Sequence, residues 1–359
     1  MKKVYPPRRA LIFDPYIDTL GGGERYVLTL ALSLIQLGFG VELAWSNLED
    51  LQKAQERFGF DLSAISINPH AYSLCTHSSI LERYNLTKNY DLVFWVSDGS
   101  LPFLFGKNNL VHFQVPFTKI GGGWVINSLK LLLINKLVYN SRFTKEVIER
   151  SLPKDKGVIL YPPIDTALFI PGKKQDIILS VARFDSPSHS KRQDILIEAF
   201  RSLSSQNKKY QLILAGGHRG NNNTLNNLKN SAKGLNIEII PNPDIGQLRK
   251  LYAKAKFFWH AAGFEIDESK EPEKVEHFGM TTVEAMSAGC TPVVIAAGGQ
   301  KEIVTPEVGF LVESPEEMAS VTLSQIKVEN HDSHSSAAVE RAQIYSTASF
   351  KKNIEKLIQ

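Results

Sequence analysis

The stretch that most constrains this chain runs from His260 to Gly289, HAAGFEIDESKEPEKVEHFGMTTVEAMSAG, together with the run KFFWHAA that leads into it. That run is short, apolar and aromatic, the pattern of a buried parallel strand. A polar, acidic loop follows, then Glu276-His277-Phe278-Gly279, then a helical pattern from Met280 to Ala288 closed by Gly289. In an open parallel sheet, ligands lie beyond the carboxyl ends of strands, where loops lead into helix N-termini. The free N–H groups and positive dipole of such a start suit an anion, most often a phosphate. Glu276 stands just before the helix and Glu284 eight positions on, about two turns in. One carboxylate meets a ligand at the mouth, and the other reaches from inside the helix.

Two helical carboxylates alone usually mark a solvated face. Here the whole string EHFGMTTVEAMSAGCTPVV, with its Glu-x7-Glu spacing, resembles the motif of retaining glycosyltransferases of the GT-B fold, family 4. The resemblance implies two doubly wound parallel-sheet (Rossmann-like) α/β domains facing a cleft. By it Glu276 serves the donor sugar, Glu284 the ribose, and the backbone of Phe278, Gly279 and Met280 the diphosphate.

The length of 359 residues suits two domains that each bury a core. A hydrophobic fraction of 43% and a charged fraction of 22% are those of a soluble globular protein. No apolar run approaches the roughly 20 residues of a membrane span, and the Met-Lys-Lys start has no h-region after it, so a cytoplasmic protein is expected. Cys75 and Cys290 are too few for a disulfide framework or a zinc site and read as small buried hydrophobes. Residues 1–160 carry 18 Lys and Arg against 14 Asp and Glu, which accounts for all of the net charge of +4. That excess could steer an anionic acceptor or give peripheral contact with a membrane, or be ordinary solubility. Nucleic acid is not an expected partner, because no dense basic cluster is interleaved with aromatics.

Along the chain, Arg9 to Asp14 reads as the first strand, followed by Gly21-Gly22-Gly23-Glu24 and a helix over Arg25 to Leu37. Glycines between strand and helix let backbone approach a ligand, although GGG is not the dinucleotide fingerprint. GGGERYVLTLA is similar to the family's N-terminal loop, which assigns Gly22 and Gly23 to the donor. Strands are expected at Val41 to Trp45, Asp91 to Val96 and Asn109 to Phe113, with a helix between them at Leu48 to Phe58. Asp98 and His112 fall at strand ends. A lone His there is usually structural, but the family carries a His at the matching position, which assigns His112 to catalysis and Asp98 to the donor. Lys119 to Trp124 is a second glycine turn, and the apolar run after it reads as a core helix in preference to a membrane-surface helix.

Tyr161-Pro162-Pro163-Ile164-Asp165 reads as a hinge. The expected domains are 1–160 on the acceptor side, joined by a C-terminal helix at about 341–359, a linker at 161–175, and a nucleotide-sugar-binding domain at 176–340. In the second half, Asp176 to Ala182 is a strand with Arg183 just beyond it and Lys191 before the next helix. Two cations at a strand exit can offset charge on a diphosphate leaving group without donating a proton. They stand where the family carries its Arg and Lys, and Ile245 where it holds the base. The acidic loop Gly263 to Val275 is expected to be a solvated, mobile lid, not a metal site, and neither metal nor cofactor is expected.

The implied reaction moves a hexose from a nucleotide-diphosphate sugar to a sugar or lipid-linked hydroxyl, with retention. The EHFG string is similar to mannosyltransferases that use GDP-mannose, while many members use UDP-glucose, and prevalence tips the expectation toward a UDP-hexose. The alternative is a non-catalytic sugar-nucleotide or glycan-binding subunit that assists a partner enzyme.

Overall fold

The computed structural model describes residues 8–184, 191–220, 223–327 and 332–359. It divides into two units, Met1–Pro163 with Thr347–Gln359, and Ile164–Ser346. The polar segment 185–190, between Arg183 and Lys191, lies outside the described residues.

The first unit is built on seven strands: β1 Arg8–Phe13, β2 Phe39–Ala44, β3 Ile65–Ile67, β4 Leu92–Val96, β5 Asn108–Phe113, β6 Lys136–Tyr139 and β7 Gly157–Ile159. They pair in parallel in the order β3-β2-β1-β4-β5-β6-β7. Every residue of β4, LVFWV, is buried, as expected of a strand covered on both faces. One face packs Ile12, Val41 and Phe94 against Tyr26, Val27 and Leu34 of the Gly22–Gln36 helix, and the other gathers Leu11, Val93, Val111 and Tyr139. The Thr347–Ile358 helix joins this unit, with Phe350 edge-on to Tyr26 at 5.1 Å between ring centroids.

The second unit holds six parallel strands: β8 Gln175–Val181, β9 Gln211–Gly216, β10 Ile237–Pro241, β11 Ala255–His260, β12 Thr291–Ile295 and β13 Phe310–Val312. Their order is β10-β9-β8-β11-β12-β13. Phe257, Phe258 and Trp259 of β11 are wholly buried, and the Trp259 indole N–H donates to Thr322 Oγ1 at 3.0 Å. Both sheets run outward from one strand, return, and continue on its other side. Such a reversal, between β1 and β4 and between β8 and β11, opens a crevice at the strands' carboxyl ends.

One expectation is corrected here. The helix Trp124–Leu133 has no buried residue, so it is not a core helix. Leu131 packs partly on the sheet, while most of its other apolar side chains face solvent. Among the described residues, no helix is long and apolar enough to cross a membrane.

Candidate active site

The switch point of the second sheet gathers charge. His260 ends β11, and its Nε2 lies 2.9 Å from Glu276 Oε2. Lys191, just ahead of the Gln193–Gln206 helix, donates from Nζ to the same oxygen at 2.8 Å. Burial disfavours the charge on Glu276, but Lys191 and the His260 hydrogen bond more than offset it and hold the carboxyl well below its ordinary range. The His260 Nε2–H donates to that ionised oxygen, and Nδ1 is buried without a partner among the described residues.

Two glycine turns interlock beside this group. Gly279, at φ +115°, caps the Met280–Ser287 helix in a conformation suited to glycine. A Cβ on Gly299 would come within 2.6 Å of the His277 carbonyl oxygen and Phe278 Cα, and Gly299 N donates to Glu276 O at 2.7 Å. Gln300 is fully buried and donates to Thr282 Oγ1 at 2.9 Å, tying the second turn to the helix that the first begins. The 276–280 backbone is therefore held from behind, with its N–H groups at a helix start.

Sequence reasoning named Glu276 and Lys191, and the structure brings them together. Glu284, largely buried in the helix, accepts from the Tyr252 hydroxyl at 3.0 Å. Arg183 follows β8, is exposed, and pairs with no carboxylate among the described residues. Its carbonyl accepts from Gln193 Nε2 at 3.0 Å. Ile245 is half exposed at the first position of the Ile245–Lys254 helix, which Asp244 caps by accepting from Gln247 N at 2.7 Å. The Phe278 ring is buried edge-on to Tyr345, so its backbone alone faces the helix start, and Met280 is part-buried. In the acidic loop Glu265 pairs with Arg192 and Glu268 with Lys301 and Gly298 N, while Asp267–Lys270 and Glu271–Lys274 pair within the loop itself.

In the first unit, Gly22 and Gly23 form the first turn of the Gly22–Gln36 helix, and Glu24 reaches back to accept from Gly21 N. A Cβ on Gly23 would lie 2.0 Å from Gln114 Oε1, so glycine lets these two segments touch. His112 lies within β5, wholly buried and stacked on Tyr26 at 4.4 Å. Burial pushes its imidazole down to about 3, against a weaker opposing pull from the Val138 carbonyl, so it is neutral near pH 7. Asp98 is exposed and accepts from the Ser100 N–H and hydroxyl. An open depression of about 440 Å³ lined by Arg9, His70, Glu82 and Tyr90 lies at the other end of the sheet, by the start of β1.

Sequence reasoning missed His260, Gln114 and Asn140, and placed Gln300 only within a Gly298-Gly299-Gln300 turn similar to the family's. His260 carried a signal, since it closes the apolar run KFFWH at a strand's carboxyl end. Gln114 and Asn140 follow β5 and β6, and Asn140 Nδ2 donates to the Gln114 carbonyl at 2.9 Å. Gln114 Nε2, Asn140 Oδ1, His112 Nε2 and Asp14 Oδ2 are all buried without a partner among the described residues.

Residues 166–343 match the family model of glycosyl transferases group 1. A curated relative is a GDP-Man:Man(3)GlcNAc(2)-PP-Dol alpha-1,2-mannosyltransferase of Dictyostelium discoideum, 26% identical over 59% of this chain and 43% of the relative. The chain thus spans under half the length of that protein. A glycosyltransferase structure from Rickettsia africae matches at a TM-score of 0.75 and 19% identity over 98% of both chains. Anabaena HepE in complex with UDP and glucose matches at a TM-score of 0.71 and 17% identity over 97% of this chain and 98% of that one. Residues 166–343, within the second unit, are thus a glycosyl transferases group 1 domain, and the chain is built on the GT-B fold.

Proposed function

We propose that this chain is a glycosyltransferase that moves a hexose, mannose by preference, from GDP-mannose to a hydroxyl of a lipid-linked glycan, with retention and without a metal ion. The observation that carries the reading is the Lys191 and His260 pairing on Glu276 beside the Gly279 turn. As a glycosidic bond to a diphosphate breaks, positive charge grows on the sugar and negative charge on the leaving group. An ionised Glu276 beside the first, with Lys191, Arg183 and the N–H groups of 278–280 beside the second, stabilises both without a proton donor. Glu284, steadied by Tyr252, meets the ribose, and Ile245 the base. The first unit takes the acceptor, with Gly22 and Gly23 close to the donor, Asp98 at the rim, and His112 acting as a neutral group. Such an enzyme works from the cytoplasmic side of a membrane.

The expectation of a UDP-hexose gives way to GDP-mannose, because the curated relative is named for GDP-mannose and a dolichol-linked acceptor. The UDP in HepE speaks to the fold alone at 17% identity. Calorimetry with GDP and UDP, each with and without magnesium, tests the donor. GDP is expected to bind at micromolar strength without magnesium, about −8 kcal/mol, with UDP much weaker. Binding of UDP alone would overturn the donor, and binding of neither would overturn the site. Nucleotide binding with no turnover of GDP-mannose on lipid-linked glycans would leave a non-catalytic subunit as the better reading.

A further inference from the structure

The helix Trp124–Leu133 and the Gly121-Gly122-Gly123 turn before it are built for contact with something other than this chain. Trp124 is 83% exposed, Val125 62%, Ile126 49%, Leu129 53% and Leu132 79%. Val125, Leu129 and Leu132 recur at i, i+4 and i+7, so they share one face of the helix. The opposite side holds the helix to the unit. Leu131 packs with Ile120 and Phe117 on the sheet, Asn127 Nδ2 donates to Gly121 O at 3.1 Å, and Lys156 Nζ donates to the carbonyls of Leu131 and Ile134 at 2.5 and 2.6 Å. The helix is thus fixed in place with its apolar face outward. Soluble proteins rarely leave a contiguous patch of this kind without a use for it.

Charge selects the occupant. Between Asp98 and Glu146 the sequence has no acidic residue and six basic ones, of which Lys107 pairs with Asp91 and Lys145 with Glu149. Lys119 stands five residues before the helix, Lys130 within it and Lys136 three residues after it, and the carboxylate that acts on Lys130 is Asp98. An interfacial helix carries bulky apolar and tryptophan side chains on one face and basic residues around it, and anionic lipid adds to its binding. A second copy of the chain is less suited, since a stable dimer needs about 800 Å² from each partner and like-charged lysines would meet across it. We infer that the Trp124–Leu133 helix docks the first unit onto an anionic lipid surface, with Val125, Leu129 and Leu132 at acyl depth and Trp124 and the lysines at the level of the headgroups. The lipid-linked acceptor proposed above gives this surface a purpose, but the inference stands on the surface alone, and vesicle binding succeeds or fails independently of nucleotide calorimetry.

The test is co-sedimentation of the full chain with phosphatidylcholine vesicles, with and without phosphatidylglycerol, read together with tryptophan emission. Trp45, Trp95 and Trp259 are buried, so a shift of emission to shorter wavelength reports Trp124. The chain is expected to bind the anionic vesicles, to be released by salt, and to shift its emission. The double variant Leu129→Glu/Leu132→Glu is expected to lose at least tenfold in partitioning with its thermal midpoint unchanged, because both side chains are exposed. No binding to anionic vesicles, or equal binding by the double variant, overturns the inference. Failure to bind vesicles, together with a dimer that the double variant breaks in size-exclusion chromatography, would assign the face to a second copy instead.

Discussion

The carboxyl ends of the two sheets treat buried polar groups in opposite ways. Beyond β11, Glu276 meets a lysine at 2.8 Å and a histidine at 2.9 Å, so the charge there is both balanced and fixed. Beyond β1, β5 and β6, Asp14 Oδ2, Gln114 Nε2 and Asn140 Oδ1 are buried with no partner among the described residues, as is His112 Nε2 within β5. An unmet buried donor or acceptor costs about 1–3 kcal/mol, and several at one sheet end are tolerated where a ligand or water meets them. Gln114 offers a donor and Asn140 an acceptor, which is what a hydroxyl can satisfy at once. The contrast matches the proposed division of labour, with charge handled by the second unit and a neutral hydroxyl by the first.

The contrast is broken most directly at Glu276. Glu276→Gln removes the charge while keeping the shape, and leaves Lys191 without its counter-ion. Transfer is expected to fall by at least about a hundredfold, the scale of losing one preorganised electrostatic contact. Initial rates with GDP-mannose and a lipid-linked acceptor check this, and near-normal rates would refute a catalytic charge at 276. Gly299→Ala comes next. Its Cβ would press on the His277 carbonyl and Phe278 Cα at 2.6 Å, so the 276–279 backbone must shift. A loss of about 1–3 kcal/mol in urea unfolding is expected, with weaker nucleotide binding. Asn140→Ala probes the other unit. It is expected to raise the acceptor KM about tenfold, or 1.4 kcal/mol, and to leave nucleotide binding unchanged. Equal effects on donor and acceptor would erase the division between the units.

What could be read from the sequence follows from burial. β4 and β11 are covered on both faces, so their apolar runs stand out with no partner known. β3 and the helices Pro69–Thr76 and Ile80–Thr87 escaped notice because three-residue and eight-residue elements are too short to set a period. Their caps were nevertheless written in the chain: Asn68 before Pro69, and Ser79 three residues ahead of Glu82. The Trp124–Leu133 helix was misread for the opposite reason, since an apolar face looks the same whether this chain covers it or not. The meeting of Lys191 with Glu276 spans 85 positions and depends on β8 lying next to β11, which no local pattern encodes. The resemblance supplied both residues as separate members of a motif. It supplied the Gly298-Gly299-Gln300 turn as the family's glycine turn, but not the bracing contact that turn makes with the 276–278 backbone, nor His260, the third member of the cluster.

The smallest expected effect separates the two sheet ends by the sign of their pH response. Glu276 is held well below the ordinary carboxylate range, so its contribution is present above about 4.5 and is lost as pH falls through its folded value. Asp14 behaves oppositely. Burial, and then the charge of Glu24, pushes its carboxyl up to about 8, against the Tyr16 N–H that it accepts. The folded chain therefore keeps a proton on Asp14 that the unfolded chain releases near 3.8, and stability drains away as pH rises from about 4 through about 8. Asp14→Asn keeps the acceptor oxygen for Tyr16 N and has no proton to lose. Its thermal midpoint is expected to match the wild type near pH 4 and to exceed it by a few degrees near pH 8. Glu276→Gln should flatten only the acid limb of the same curve. If the Asp14→Asn and wild-type profiles run parallel from pH 4 to pH 8, the buried carboxyl beyond β1 is not protonated in the folded chain. The first unit then holds charge as the second does, and the contrast between the two sheet ends fails.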